Sequence, residues 1–403
     1  MTPPTSKSRP LAGIRIVAFT QFLLGPAATQ YLSDLGADVV KVETPTGAWE
    51  RTWSGADTVR GDHSVFFDLA NRNARSIAID LKSPEGVEAA RALIGTADVL
   101  LENFRPGVMQ RFGLDYDSIR EDFPQLVYAS ASGYGEVGEH AKLPGQDLLL
   151  QAMTGLAANT GSAGQGPIPA GAAVVDQHGA ALLAMGVLGA LFQRVREGRG
   201  QKISVTMVQS ALDLQTEGLT YHMNGGDVRP AQEPVGSSFH PGPYGLYATL
   251  DGHIAISLSP VSAVLAALGQ AAEPDLADPA QAFVRRDEIR RAVAPHIARL
   301  TTAEAIERLV AGGVWTTKVN DYADALDEPA VAALEPVMTY ERADGRTVRL
   351  LRHPVTYSSA ETSMFRNPPS VGEHTEDVLE ELDVDADTIA RWRGANAFGS
   401  RQA

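Results

Sequence analysis

The chain of 403 residues contains no cysteine. This absence excludes disulfide bonds, thiolate metal ligands and a cysteine nucleophile. It is also consistent with a reducing compartment, so we expect the protein to be cytoplasmic. The nine histidines are scattered without the spacing of metal ligands, and we therefore expect no metal site.

Long apolar runs are absent as well. The longest, residues 180–192, is shorter than the roughly 20 residues that cross a bilayer, and it fits a buried core helix. Residues 1–10 carry Lys7 and Arg9 but are not followed by the apolar segment of a signal peptide. We expect no membrane partner.

Positive charge is scarce. Lys and Arg number 34 against 49 Asp and Glu, which gives a net charge of −15. A surface of this sign repels nucleic acids and anionic membranes, so a nucleic-acid partner is not expected. Residues 371–390 contain no Lys or Arg and predict a solvated, acidic helix face. The first third of the chain, by contrast, has basic residues that could serve an anionic ligand: Arg72, Arg75, Lys82, Arg105 and Arg111.

The first 135 residues alternate between strand and helix patterns. Apolar strand patterns separated by amphipathic stretches of helical length predict a parallel α/β sheet. A long helix is predicted over 177–196, and Asp-Gly pairs at 251–252 and 344–345 predict two β-hairpins. Hydrophobic residues make up 44% and charged residues 21%, as in globular proteins. The predicted strands cover residues 14–19, 38–43, 76–81, 98–103 and 126–130.

Residues 133–138 match the pattern G-x-G-x-x-G, but they do not predict a dinucleotide site. The pattern follows a strand, yet no helix pattern opens after it, and Glu136 would face a pyrophosphate with like charge. We expect a glycine-rich loop near an active site instead.

Asp176 is the carboxylate with the most informative position. It follows a small-residue apolar run and precedes the long predicted helix, where Asp commonly serves as N-cap. The positive end of the helix dipole should keep it ionised. An ionised, partly desolvated carboxylate can attack an activated acyl group, and neighbouring glycine-rich loops could stabilise the oxyanion.

Six stretches spread along the chain have the pattern of a known family. They are residues 10–17, 34–43, 73–82, 102–109, 198–201 and 372–375. Together they resemble the family III CoA-transferases of the CaiB/BaiF type, a group that includes formyl-CoA transferase, carnitine CoA-transferases and α-methylacyl-CoA racemases. The resemblance is weakest over residues 225–335.

The resemblance implies a catalytic role for Asp176. In transferases of the family, the corresponding aspartate attacks an acyl-CoA thioester to give an acyl-aspartyl anhydride. The CoA thiolate then forms an aspartyl-CoA thioester, from which an incoming carboxylic acid takes the CoA. CoA and acyl-CoA are substrates here, and no permanently bound cofactor is implied. The resemblance also implies CoA contacts at Leu23, Leu24, Ile79, Asp80, Leu81, Lys82, Asn103, Phe104, Arg105, Arg111, Gln146 and Asp147.

The racemase branch differs at one motif. Racemases of the family have a Gly-His-Asp motif whose histidine is the second base, and this chain has Gly145-Gln146-Asp147. Glutamine cannot take a proton from a carbon acid, so a transferase is favoured. An acyl-CoA racemase using Asp176 with His140 or His178 remains an alternative, as does a non-catalytic acyl-CoA-binding protein.

The expected fold is α/β, with a Rossmann-like large domain built on a parallel sheet and a smaller α+β domain. The large, CoA-binding domain should comprise residues 1–205 with 335–403, and the small domain 225–330. Residues 206–224 and 331–334 should be linkers. The resemblance further implies a homodimer whose two chains interlock.

Overall fold

The computed structural model describes residues 8–60, 63–233, 236–271, 273–342 and 345–399. These residues form two compact units. The chain leaves the first unit after Asp147 and returns to it at Val174, two residues before Asp176. The first unit takes in the described parts of Met1–Asp147, Val174–Ser210 and Glu335–Ala403, and the second those of Leu148–Ala173 and Ala211–Leu334.

The strands are short and mostly buried in the first unit. The predicted strands of the first 135 residues are all present, with ends shifted by a few residues. In chain order the strands are β1 (Arg15–Phe19), β2 (Asp38–Glu43), β3 (Val59–Arg60), β4 (His63–Ser64), β5 (Arg75–Ala78), β6 (Val99–Glu102), β7 (Val127–Ser132), β8 (Lys202–Thr206), β9 (Gly245–Ala248), β10 (His253–Ile256), β11 (Thr316–Lys318), β12 (Val337–Glu341) and β13 (Thr347–Leu351).

The helices connect these strands and cover the sheets. Short 3-10 turns occur at Trp49–Arg51, Gly55–Asp57 and Pro279–Gln281. The helices are α1 (Leu24–Asp34), α2 (Val65–Asn71), α3 (Pro84–Ile94), α4 (Val108–Arg111), α5 (Tyr116–Ile119), α6 (Asp147–Met153), α7 (Leu156–Asn159), α8 (Val174–Glu197), α9 (Met207–Asp213), α10 (Thr216–Met223), α11 (Val261–Ala267), α12 (Pro274–Ala277), α13 (Arg286–Ile297), α14 (Thr302–Ala311), α15 (Tyr322–Asp327), α16 (Pro329–Ala332), α17 (Thr375–Glu380) and α18 (Ala386–Gly394).

The first unit is built on a six-stranded parallel sheet with the order β5-β2-β1-β6-β7-β8. Numbered within the sheet, this is the order 3-2-1-4-5-6 of a Rossmann fold. The predicted parallel, Rossmann-like sheet is therefore confirmed. Chain connections run in opposite directions from β1 and β6, so the carboxyl ends of these two strands form the topological switch point at which ligands of such sheets bind.

The main core lies between one face of this sheet and the helices α3, α17 and α18. Its largest fully buried side chains include Trp392, Phe19 and Leu100. Because both faces of a parallel sheet are covered, its strands carry runs of apolar residues rather than an alternating pattern. This is why the sequence shows them clearly.

The second unit has its own core. Strands β11, β10 and β9 form an antiparallel sheet in that order, and α11, α13 and α14 pack against it around residues such as Ile254, Val264 and Ile289. The Asp-Gly hairpin predicted at 251–252 is confirmed, since β9 pairs antiparallel with β10. The second hairpin is also confirmed by the pairing of β12 with β13, although Asp344 in its turn lies outside the described residues.

The boundaries of the units differ from the predicted domains in two places. Residues 148–173 lie in the second unit rather than in the large domain, and the Ala163 amide donates to the Ala231 carbonyl oxygen of that unit at 2.8 Å. The predicted linker 206–224 contains two helices, α9 and α10. No glycine or proline interrupts residues 207–217, so the segment can form regular structure.

Two arginines of the predicted anion-binding set are not available to a ligand. Arg72 forms a buried ion pair with Asp34 at 2.7 Å. Arg75 pairs with Asp38 at 2.5 Å and with Glu381 at 2.7 Å. The expectation that these arginines face an anionic ligand is therefore wrong, because spacing in the sequence does not show where a side chain points. Glu381 of the acidic segment is exposed, as predicted, and its pairing with Arg75 is an additional contact.

Candidate active site

Asp176 is the third residue of α8 and lies in its first turn. The prediction that Asp176 caps this helix is wrong, because the helix begins at Val174, before the aspartate. Its side chain is partly buried. The carboxyl group is thus held by the helix backbone itself rather than by a flexible loop.

The cap of α8 comes from a distant part of the chain. Oδ2 of Asp147 accepts hydrogen bonds from the amides of Val175 at 2.7 Å and Asp176 at 3.0 Å. The first amides of a helix have no partner within the helix, so this carboxylate satisfies two of them. Asp147 therefore fixes the backbone that carries Asp176.

Two glycines allow Asp147 to reach this position. A Cβ atom added to Gly145 would lie 2.5 Å from the Cα of Gly133, and one added to Gly133 would lie 2.8 Å from the Cα of Gly145. The two backbones are therefore in direct contact at the end of β7. This close approach gives a structural reason for the glycine that opens the G-x-G-x-x-G pattern, with no phosphate involved.

Burial and, to a smaller extent, the negative charge of Asp147 together raise the pKa of Asp176 to about 7. The expectation that the helix dipole keeps this carboxyl fully ionised is wrong. Desolvation and a like charge both disfavour the charged form, and here they outweigh the dipole. Close to neutral pH the group exists in both protonation states.

Two further side chains pack on the first turns of α8. Ser210 Oγ donates to the carbonyl oxygen of Val175 at 2.8 Å. A Cβ atom on Gly179 would lie 2.8 Å from Cδ1 of Leu24, so only glycine lets Leu24 approach this closely. Leu23 and Leu24 are both buried. The sequence gives no signal for the contact of Ser210, because it depends on the fold.

The residues after β1 and β6 meet at the switch point. The side-chain amide of Asn103 donates to the carbonyl oxygen of Gln21 at 2.9 Å and accepts from its backbone amide at 2.9 Å. Asn103, expected to contact a nucleotide, thus joins the two loops to each other. Glu102 beside it is buried, and burial raises its pKa to about 7.

The stretch expected to bind adenosine follows β5 at the outer part of the same sheet edge. Ile79 is buried and Leu81 packs against the core. The Asp80 amide donates to the carbonyl oxygen of Ala397 at 2.7 Å, and Asp80 Oδ1 accepts from the Lys82 amide at 3.0 Å. Only the backbone amide of Lys82 takes part in these bonds, and its side chain is exposed.

Three cations are exposed near this sheet edge. Lys82 follows β5, whereas Arg105 and Arg111 follow β6, and within the described ranges none of the three forms an ion pair. Phe104, next to Arg105, packs edge-on against Phe19 at 6.4 Å. Strands β5 and β6, which these residues follow in the chain, are three strand spacings, or about 14 Å, apart. This arrangement suits an extended molecule with separated phosphates.

The alternative bases are not placed beside Asp176. His178 is two residues along the same helix, and residues at this spacing point to different sides. His140 is exposed and its Nδ1 lies 3.4 Å from Glu139 Oε1. Gln146 is also exposed.

A metal cluster is not found among the described residues, where no three His, Asp or Glu side chains are placed to hold an ion. Helix α8 is the one described helix whose length and composition would allow it to cross a membrane, and 44% of its most apolar window is buried inside the protein. The core helix of a globular protein can also meet these criteria of length and composition.

Curated relatives are CoA-transferases over nearly the whole chain. The succinate–glutarate CoA-transferase of Agrobacterium fabrum is 30% identical, covering 95% of this chain and 98% of the relative. The succinyl-CoA:mesaconate CoA-transferase of Haloarcula hispanica is 32% identical, covering 94% of this chain and 98% of the relative.

A crystal structure of a mutant of Rv3272 from Mycobacterium tuberculosis has a TM-score of 0.81 at 29% identity, covering 92% of this chain and 98% of that one. A CaiB/BaiF family protein from Brucella suis has a TM-score of 0.79 at 29% identity, covering 94% of this chain and 100% of that one. The sequence pattern of the family described as CoA-transferase family III matches this chain over residues 11–375. The chain therefore belongs to CoA-transferase family III and is an enzyme of that class.

Proposed function

We propose that the protein moves CoA from an acyl-CoA to a carboxylic acid through covalent intermediates on Asp176. The observation that carries the proposal is the position of this carboxyl in the first turn of α8, held by the contact of Asp147 with its backbone amide at 3.0 Å. A rigid backbone that carries a partly buried carboxyl meets the geometric need of a nucleophile.

The reaction begins with the ionised form of Asp176. A carboxylate oxygen attacks the thioester carbonyl carbon, the C–S bond breaks, and CoA leaves as a thiolate with the acyl group on Asp176 as an anhydride. The thiolate then attacks the side-chain carbonyl of the aspartate. The first acid departs as a carboxylate, and CoA is joined to Asp176 as a thioester.

The acceptor acid completes the exchange by the same steps in reverse order. Its carboxylate attacks the aspartyl-CoA thioester and forms a second anhydride, and the thiolate then attacks the acceptor's carbonyl carbon. One thioester is broken for each one formed, so no ATP is consumed. The written reaction needs no further cofactor.

The raised pKa of Asp176 suits this role. Near a pKa of about 7 a large fraction of the carboxyl is ionised at neutral pH. A more basic carboxylate is also a stronger nucleophile than an ordinary aspartate. We propose that Asp147 serves the reaction in two ways, because it positions Asp176 and keeps its pKa high.

We propose that CoA lies along the carboxyl edge of the main sheet. Lys82, Arg105 and Arg111 would bind its phosphates there, because they are exposed and have no ion pair in the described part of the chain. Leu23 and Leu24 would line the route towards Asp176, since Leu24 contacts Gly179 one turn further along α8.

A homodimer is also part of the proposal. The described part of α8 exposes four large apolar side chains at spacings of three and four residues, which places them on one helix face. An exposed apolar helix face of this kind is typical of a surface that another chain covers. We propose that a second copy covers it and that the protein works in the cytoplasm. The four residues are Met185, Leu188, Phe192 and Val195.

The racemase alternative has less support. It needs a second base near Asp176, but His178 faces away from it on the helix and Gln146 cannot accept a proton. The relatives named above are transferases, which also leaves the non-catalytic alternative without support.

The proposal is tested by trapping the intermediates. The wild-type protein is incubated with succinyl-CoA, the donor suggested by the relatives, and with a panel of other acyl-CoAs. Intact-mass analysis should show an adduct, and hydroxylamine should convert Asp176 to its hydroxamate. The matched control is Asp176→Asn, which should show neither product while still binding the thioester. Unmodified wild-type protein with every thioester would contradict the proposal.

A further inference from the structure

Three large aromatic rings stand partly exposed in one continuous stack. Phe22 stacks on Trp49 with ring centroids 4.7 Å apart, and Trp49 stacks on Trp53 at 5.4 Å, each pair at 24° between planes. Their residues are 39%, 49% and 41% exposed. We call these three residues the aromatic ladder. At one end of the ladder the Trp53 ring packs edge-on against Phe66, with ring centroids 4.7 Å apart.

Phe22 holds its place in the ladder at a conformational cost. Its φ angle is +61°, in the left-handed region that bulky residues rarely adopt. Strain of this kind persists only where the surrounding structure enforces it, and it is concentrated at functional sites. Phe22 lies three residues beyond the end of β1 and next to Gln21. The strained residue is therefore at the switch point of the main sheet.

Trp49 is held by charged neighbours that are almost entirely buried. Glu50 lies 3.2 Å from Nζ of Lys41, with side chains 0% and 1% exposed. Arg51 pairs with Glu43 at 2.5 Å. Burying ion pairs costs free energy, so their contribution here is to fix the 3-10 turn in one position rather than to stabilise the fold. The side chains of Glu50 and Arg51 therefore point inwards, and the turn leaves the Trp49 ring partly exposed.

The ladder is also connected to the catalytic helix. Leu23 and Leu24 follow Phe22 in sequence, and Leu24 contacts Gly179, which lies one turn beyond Asp176 in α8. The stretch expected to bind adenosine follows β5, which is two strand spacings, or about 10 Å, from β1. Trp49 and Trp53 follow β2, which lies beside β5, so it is through Phe22 that the ladder reaches the Asp176 end of the proposed substrate.

We propose that the aromatic ladder is a stacking platform for the ring of an aryl carboxylic acid, one of the two acids between which CoA is exchanged. The inference rests on the proposed function, because it assigns the acid that this function requires. Flat faces of Phe and Trp interact favourably with another aromatic ring beyond their burial of apolar area. A saturated ring of the same carbon count lacks this interaction.

Calorimetric binding of phenylacetyl-CoA and cyclohexylacetyl-CoA tests the proposal. Wild-type protein should bind phenylacetyl-CoA about twofold to tenfold more tightly, the effect of one added aromatic pair. Phe22→Leu, which removes the ring at the open end of the ladder, should remove this preference, and Phe22→Tyr should retain most of it. Tyr322→Leu, which removes an exposed aromatic ring of the second unit, should leave the preference unchanged.

The measurement is repeated in the Asp176→Asn background, so that binding is read without chemistry. Equal affinities for the two thioesters in the wild type would overturn the platform, even if acyl-CoAs load Asp176. A preference that survives Phe22→Leu would also overturn it. If tryptophan emission instead changes with protein concentration in the absence of ligand, a second copy covers the ladder and the platform is wrong. Failure to load Asp176 would contradict the proposed function alone.

Discussion

At the scale of single residues, the proposed chemistry depends on two carboxyl groups that lie far apart in the sequence. Asp147 reaches the first turn of α8 and accepts from the amides of Val175 and Asp176. The sequence indicates Asp176 through its place before a helix. It cannot indicate that another aspartate supplies the cap, because that contact depends on the approach of Gly145 to Gly133.

The first prediction concerns the pH dependence of the acylation step. In the proposed mechanism only ionised Asp176 attacks the thioester, so the single-turnover rate should fall with the ionised fraction below pH 7 and level off above it. Asp147→Asn keeps an oxygen acceptor for the helix amides but removes a negative charge. Since that charge raises the pKa of Asp176, the variant's profile should move to lower pH. An unmoved profile would show that Asp147 has no electrostatic effect.

The second prediction concerns stability. The pKa of Asp176 is about 7 in the folded protein against an ordinary value of 3.8. Between these values the folded state binds the additional proton, so the free energy of unfolding contributed by this group falls as pH rises. Asp176→Asn should therefore raise Tm above pH 7 and leave it unchanged near pH 3.8. Thermal unfolding at both ends of the range checks this, and a lower Tm of the variant at high pH would contradict it.

At the scale of elements, the sequence predicts most of the first unit. The strands of the main sheet are apolar runs and the helices between them have clear start signals, such as Ser83, whose side chain accepts from the Gly86 amide at 2.9 Å. The start of α8 is less well predicted, because residues 171–175 are small and carry no cap of their own. The sequence does not indicate that residues 148–173 belong to the second unit, because their association with it depends on long-range contacts such as that of Ala163 with Ala231.

The third prediction concerns Gly179 in α8. Alanine usually stabilises a helix interior by about 1 kcal/mol relative to glycine. At Gly179, however, the new Cβ would lie 2.8 Å from Leu24, so Gly179→Ala should displace Leu24, lower Tm and reduce kcat. Gly189→Ala in the same helix is the control, because a Cβ atom there meets nothing within 4 Å. Equal Tm changes in both variants would contradict the close packing of Leu24.

At the scale of the whole molecule, the sequence indicates family membership better than architecture. Matches at both ends of the chain support the resemblance. The division into units depends instead on segments such as 148–173, over which the chain leaves the first unit before it returns to it. The basic residues illustrate the same limit. Arg72 and Arg75 belong to internal ion pairs, and only the fold separates them from the exposed Arg105 and Arg111.

The fourth prediction concerns the proposed dimer. Phe192 is 68% exposed on the apolar face of α8, and a second copy should bury it. Phe192→Glu places a charge in that interface and should shift the protein towards monomer in multi-angle light scattering. Leu250→Glu, at an exposed apolar position of the second unit, should remain a dimer. A wild-type protein that is monomeric at all concentrations would contradict the proposal.

The most direct test of the covalent mechanism follows oxygen atoms. In the proposed sequence the acceptor's carboxylate oxygen becomes the bridging atom of the second anhydride. When CoA then takes the acceptor's acyl group, that oxygen stays on Asp176. After turnover with an acceptor acid labelled with heavy oxygen, the proteolytic peptide containing Asp176 should carry the label. Transfer of CoA to the labelled acid with no label in that peptide would contradict the account.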